Sequence, residues 1–303
     1  MGMIETQEQI RRLLDDKNAI LLAHYYQRDE IQDIADILGD SLALSMEAAD
    51  TMADVIVFAG VRFMAESASI LSPGKTVLLP RLDAGCPLAD TITVEELEKA
   101  KAEHPGATVV TYVNSSAQIK ARSDICCTSA NAVRIVNSLD ADTVLMIPDG
   151  NLARYTARFT EKEIIPWKGF CYVHNNLLPD HIRKVKNAHP GAPVAVHPEC
   201  RPEVIEMADF VGSTGGILKF AREIDAQEVI IGTEQGIMHQ LNKESPDKTF
   251  LPASDHLICL DMKCITLDAI RSSLLEMKHV IQVPEEIRVP ASLTLSRMLE
   301  TSR

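Results

Sequence analysis

Short apolar runs alternate with amphipathic segments along nearly the whole chain. Residues 5–16 place Ile10, Leu13 and Leu14 on one face of a helix, which Asn18 breaks. The run AILLA at 19–23 reads as a strand buried on both faces. An Asp- and Ile-rich helix, a helix over 42–53, a strand over 55–59, a helix over 62–70 and a strand over 76–79 follow. A second pass begins with a helix over 94–103, closed by His104-Pro105-Gly106. Strands over 108–111, 143–147 and 164–165 follow it, with helices over 130–139 and 151–159 between them. A third pass opens on a helix over 179–188, closed by His189-Pro190-Gly191. It continues through a strand ending at Val196, an acidic helix-like stretch, a helix over 214–224, a strand over 229–231 and a helix to Asn242.

The three passes keep register. His24, Tyr112 and His197, each at a strand end, are separated by 88 and then 85 positions. A hydroxyl stands 17 residues beyond each of them, at Ser41, Ser129 and Thr214. A polar residue stands two beyond, at Tyr26, Asn114 and Glu199. A cysteine follows at 62, 59 and 62, namely Cys86, Cys171 and Cys259. Matching landmarks in three copies argue for internal repetition with a period near 87, long enough for a small domain. Alternating helices and β-branched strands predict parallel sheets with helices on both faces. The expected fold is therefore three pseudo-threefold-related α/β/α domains around a central cavity. Their spans are 1–86, 87–171 and 172–259, and a helical tail, 260–303, packs on the first.

Composition narrows the function. A formal net charge of −13 gives no basic surface for nucleic acid. No apolar run approaches the length of a membrane span. The N-terminal residues lack the features of a secretory signal, so the seven cysteines are expected to be reduced thiols of a cytoplasmic protein.

Thiols on three separate loops suit a site that only the fold assembles, and soft thiolates select zinc, Cu(I) or iron–sulfur clusters. Three cysteines on a four-iron cluster would leave one iron without a protein ligand, able to act as a Lewis acid. The plain alternative is three core cysteines, against which their matched positions count. Cys264 rivals Cys259 but falls five positions off the repeat. Cys126 and Cys127 read as packing at a helix start, and the repeat gives Cys200 no counterpart. Hydroxyls at helix starts, Ser41, Ser129, Ser213 and Thr214, are either ordinary caps or binding points for substrate carboxylates and phosphate. His24, Tyr26, Tyr112, Asn114, His197 and Glu199 offer acid–base and hydrogen-bonding groups to the same cavity.

Several segments carry a family resemblance: Ala23-His24-Tyr25-Tyr26-Gln27, Gly39-Asp40-Ser41-Leu42, Tyr112-Val113-Asn114-Ser115, Cys127-Thr128-Ser129, Gly169-Phe170-Cys171-Tyr172-Val173-His174, His197-Pro198-Glu199-Cys200, Gly212-Ser213-Thr214-Gly215-Gly216 and Gly232-Thr233-Glu234. Together they resemble the quinolinate synthases of NAD biosynthesis over about residues 5–300. The resemblance implies a [4Fe–4S] cluster on Cys86, Cys171 and Cys259. It implies condensation of iminoaspartate with dihydroxyacetone phosphate to quinolinate, a transferase-type reaction with loss of phosphate and water. It assigns His24, Ser41, Ser129, His197, Ser213 and Thr214 to substrate carboxylates and phosphate, and Tyr26, Tyr112, Asn114 and Glu199 to proton transfers, with His174 in reserve. It also implies functional pairing with an aspartate-oxidising enzyme. Where the family reads C-x-x-M-x-M or C-x-x-M-K, this chain has Cys259-Leu260-Asp261-Met262-Lys263-Cys264, an additional thiol. Rival readings are another open-cluster hydro-lyase acting on a polycarboxylate, and an iron–sulfur sensor, which would need a partner-binding module.

Overall fold

The computed structural model describes residues 2–302; Met1 and Arg303, the outer ends of the expected first domain and tail, lie outside the described residues. Three separate parallel sheets of four strands each organise the chain, and no barrel closes. The first sheet holds β1 (Ala19–His24), β2 (Ile37–Gly39), β3 (Val55–Ala59) and β4 (Thr76–Leu78), in the order β2-β1-β3-β4. The second holds β5 (Thr108–Tyr112), β6 (Ile125–Cys127), β7 (Thr143–Ile147) and β8 (Glu163–Pro166), in the order β6-β5-β7-β8. The third holds β9 (Val194–Val196), β10 (Phe210–Val211), β11 (Glu228–Gly232) and β12 (Thr249–Pro252), in the order β10-β9-β11-β12. All pairings within the sheets are parallel.

The repeated order has a chemical consequence. In each sheet the chain first steps to one side of the opening strand, then crosses to the other. Beyond the carboxyl ends of those two central strands lies the crevice where open α/β sheets hold ligands. His24, Tyr112 and His197 stand at that edge in their respective sheets.

Two side-chain devices recur with the repeat. Asp36, Asp124 and Asp209 each accept the N–H of the central strand 15 residues earlier, at Leu21, Val109 and Val194, over 2.8 Å in all three. Lys75, Lys162 and Lys248 each turn their ammonium onto carbonyls around the end of a preceding helix. Those carbonyls have no partner within a helix and carry the negative end of its dipole. The His-Pro-Gly turns act as expected: His104 and His189 cap helix ends, and Gly106 and Gly191 take φ of 91° and 93°.

Two expectations need correction. Each unit has a fourth strand, β2, β6 or β10, that pattern reading absorbed into helix or loop. They are edge strands of two or three residues, too short to show a period. Cys126 and Cys127 accordingly lie in β6, fully buried, and not at a helix start. The second hydroxyl loop also differs from its counterparts. Ser41 and Thr214 begin helices of ten residues, whereas Ser129 sits in a turn before the shorter helix Ala132–Asn137.

The C-terminal segment spans two units. The helix Leu267–Glu276 packs on Met3–Asp16, and Val280 pairs antiparallel with Leu78 at the edge of β4. The last helix, Glu285–Ser302, lies against Arg62–Leu71 of the first unit and against β6 and its flanking helices in the second. Arg297 Nη1 donates to the Asp124 carbonyl at 2.7 Å, and Asn131 Nδ2 to Ser302 Oγ at 2.7 Å.

Candidate active site

The three crevices open on one central cavity. Every residue expected in the site from the sequence borders it except Ser213. Ser213 caps the helix Thr214–Glu223 and donates from Oγ to Asp40 Oδ2 at 3.0 Å, which joins the third unit to the first. Ser129 meets His197 across another seam, with 3.1 Å between Oγ and Nε2.

Local backbone fixes the histidines. Nδ1 of His24 accepts the N–H of Tyr26 at 3.1 Å, and Nδ1 of His197 accepts the N–H of Glu199 at 3.4 Å. A ring that accepts at Nδ1 is neutral and carries its proton at Nε2. Burial, reinforced by Lys263 for His24 and by His174 for His197, lowers both to about 3. Each is therefore a neutral hydrogen-bond donor near neutral pH.

A chain of side chains runs from the first unit to the third. Thr214 Oγ1 donates to the Tyr26 hydroxyl at 2.9 Å, and that hydroxyl lies 2.6 Å from Thr233 Oγ1. Thr233 Oγ1 lies 2.8 Å from His174 Nε2, and His174 Nδ1 lies 2.6 Å from Glu199 Oε2. Tyr26, Thr233, His174 and Glu199 are all nearly inaccessible to solvent. Hydroxyl, hydroxyl, imidazole and carboxylate stand in that order, each within 2.8 Å of the next, which lines up a path from Tyr26 towards Glu199. Burial pushes Glu199 upward, but His197, His174 and the Tyr112 hydroxyl outweigh it and hold the carboxyl at about 2. Burial pushes the Tyr26 and Tyr112 phenols well above their ordinary value, so both are protonated donors. Tyr112 also bonds Ser129, and the buried Asn114 Oδ1 has no partner among the described residues.

The cysteines fit a metal cluster as a donor set. Cys86, Cys171 and Cys259 come from three loops and share the cavity wall. Each thiol receives a backbone N–H from the residue three positions on: Ala89, His174 and Met262. Such donors stabilise bound thiolate sulfur. Burial pushes all three thiols up, Cys259 to about 11, so metal uptake must release their protons. Donor atoms of Cys171, His174 and Glu199 also lie within 4.8 Å of one another. The remaining cysteines are elsewhere. Cys264 donates from Sγ to the Asp261 carbonyl at 2.9 Å outside the cavity wall, and Cys200 is buried with Sγ 3.6 Å from the Gly232 carbonyl.

Sequence reasoning ranked His174 low and gave no role to Thr233, Glu234, Asp149 or Asp40. Asp149 and Glu234 did leave a signal, since both stand 37 residues beyond their strand-end landmark. Thr233 left none, because the matching positions are Gly60 and Pro148.

Fold and site define a pseudo-threefold α/β protein whose units pool thiols, imidazoles and hydroxyls at one shared centre. A family model for the quinolinate synthetase A protein matches residues 8–300. Over 293 residues the chain is 57% identical to the quinolinate synthase of Methanoregula boonei, covering 97% of each. It is 57% identical over 299 residues to that of Geotalea uraniireducens, covering 99% of this chain and 98% of the relative. It is 54% identical over 299 residues to quinolinate synthase 1 of Methanosarcina acetivorans, covering 99% and 98%. The chain belongs to the quinolinate synthetase A family.

Proposed function

We propose that this protein forms quinolinate for NAD biosynthesis by condensing iminoaspartate with dihydroxyacetone phosphate, releasing phosphate and water. The observation that carries the reading is the convergence of three loop cysteines on the cavity that also holds the path from Tyr26 to Glu199. On this reading the units 1–86, 87–171 and 172–259 each end on one cluster ligand, Cys86, Cys171 or Cys259, and 260–303 is a tail. Cys86, Cys171 and Cys259 would hold a [4Fe–4S] cluster, which with only three protein ligands would supply Lewis-acid chemistry to substrate oxygens.

The chain's own groups would bind and move protons. His24 and His197, neutral and donating from Nε2, hold substrate carboxylates together with Ser41 and Ser129. Thr214, at the helix start that borders the cavity, offers its hydroxyl and the N–H groups there to the phosphate, while Ser213 caps that helix and ties it to Asp40. Asn114 Oδ1 accepts from a substrate N–H or O–H. Tyr26 gives or takes a proton through Thr233 and His174, with Glu199 holding the imidazole by the logic of a hydroxyl–imidazole–carboxylate triad. Tyr112, bonded to Glu199 and Ser129, is placed to protonate an oxygen during the keto–aldo isomerisation. An imine such as iminoaspartate hydrolyses in water, so an aspartate-oxidising enzyme must supply it close by. On this reading the work is cytoplasmic, a compartment that keeps such thiols reduced.

The test uses anaerobically reconstituted protein given both substrates. Quinolinate and phosphate should appear together. Phosphate released without quinolinate, or neither product, overturns the assignment.

A further inference from the structure

The three cysteine loops are alike in one attachment and unlike in another. In every unit the backbone N–H 38 residues beyond the strand-end landmark binds the carbonyl two residues before the cysteine. These pairs are Arg62 to Ala84 at 2.8 Å, Gly150 to Gly169 at 2.8 Å and Gln235 to Leu257 at 2.9 Å. In two units a buried carboxylate adds a second tie, to the cysteine itself. Asp149 Oδ2 accepts the N–H of Cys171 at 3.1 Å, and Oδ1 accepts the N–H of Leu152 at 2.8 Å. Glu234 Oε1 accepts the N–H of Cys259 at 3.0 Å, and Oε2 accepts the N–H of Gly236 at 2.7 Å. Asp149 is 1% exposed and Glu234 0%. The equivalent position in the first unit is Val61, which has no acceptor. Among the described residues nothing accepts the N–H of Cys86. Cys86 differs in a further way: it also borders an outer groove between the first two units and the tail, beside Phe63, Gln118 and Pro284.

We infer that Asp149 and Glu234 are positioning residues that preset the loops of Cys171 and Cys259, and that Cys86 is the adjustable third ligand. The inference rests on the reading of these cysteines as cluster ligands. Neither carboxylate need touch substrate. Each has both oxygens committed to backbone N–H groups, one on a helix start and one on the ligand residue, so it fixes where the thiol begins. Lys263 Nζ, 3.3 Å from both Glu234 oxygens, offsets part of the cost of burying that carboxylate, whereas among the described residues Asp149 has only its backbone ties, at a position that Val61 fills with hydrocarbon in the first unit. A loop without that tie can shift as iron enters and close over it from the groove side. Cys86 is then the last ligand to bind and the first to let go.

Hydrogen exchange on the metal-free protein reads the ties directly, since an N–H bonded to a buried acceptor exchanges only when the bond opens. The amides of Cys171 and Cys259 should exchange at least tenfold more slowly than that of Cys86. In Glu234→Gln an amide N–H₂ must face at least one of the two backbone donors. The Cys259 amide should then speed up at least tenfold while that of Cys171 stays slow, and Asp149→Asn should do the reverse. After anaerobic reconstitution both variants should bind less than half the iron of the wild type, with unchanged circular dichroism. A Cys86 amide as slow as the other two in the wild type overturns the inference without reference to any variant. So does wild-type iron content in both variants. Wild-type protein that takes up no iron sinks the cluster reading instead, a result distinct from the exchange contrast.

Discussion

Thr233 occupies a position where the other two units carry Gly60 and Pro148, and it holds the centre of the proton path. Among the described residues its hydroxyl is the one hydrogen-bonding link between the Tyr26 phenol and the His174 ring. Thr233→Val keeps the shape and removes the link. It should lower quinolinate formation by roughly a hundredfold or more, the scale of a lost acid–base group, while bound iron stays at the wild-type level. Tyr26→Phe should cost about as much, and the double variant little more than either alone, because the groups act as a unit. A steady-state comparison of the three variants settles it, and additive losses would contradict the path. The buried histidines set a pH dependence of stability. Both fall from 6.5 to about 3 on folding, so the unfolded chain binds more protons between those values. Unfolding free energy should be undiminished by these rings above about pH 6.5 and should decline as the pH is lowered towards 3. Denaturant melts across that interval test the sign. The repeat exposed His24, Tyr112 and His197 because they recur. It hid Thr233 and underrated His174 for the same reason, since chemistry needs different groups at equivalent places.

At the scale of elements, the lysine clamps and the aspartate ties hold each unit to the same frame. Lys162 Nζ donates to the carbonyls of Leu139 and Ala141 at 2.7 and 2.8 Å. Lys162→Met strands those acceptors at a helix end and should lower the unfolding free energy by about 1–3 kcal/mol. Iron uptake should be unaffected, since the clamp is remote from the cavity wall. Equilibrium denaturation with iron assay on the same samples checks both halves. Both devices could have been read from the sequence: Asp36, Asp124 and Asp209 stand 12 residues beyond His24, Tyr112 and His197. Central strands such as Val55–Ala59 were legible because a fully buried strand is a continuous apolar run. Edge strands were not. Phe210–Val211 is half-buried and two residues long, and its pairing with β9 is decided by tertiary contact.

For the whole molecule, one cavity is lined by three units, each of which brings a single thiol to its wall. The tail ties two of them together through Glu285–Ser302, and the Ser213–Asp40 and Tyr26–Thr233 bonds tie the first to the third. Cooperation of distant loops is what the sequence could show only as arithmetic, because 85 or more residues separate each of Cys86, Cys171 and Cys259 from the next. The additional thiol at Cys264 is the direct challenge to that arithmetic. The iron bound per chain after anaerobic reconstitution decides the matter when Cys259→Ala and Cys264→Ala are measured beside the wild type. A cluster held by Cys86, Cys171 and Cys259 predicts that Cys264→Ala keeps the wild-type iron and its broad visible absorption, while Cys259→Ala loses both. Loss of iron in Cys264→Ala with retention in Cys259→Ala would contradict the site described here.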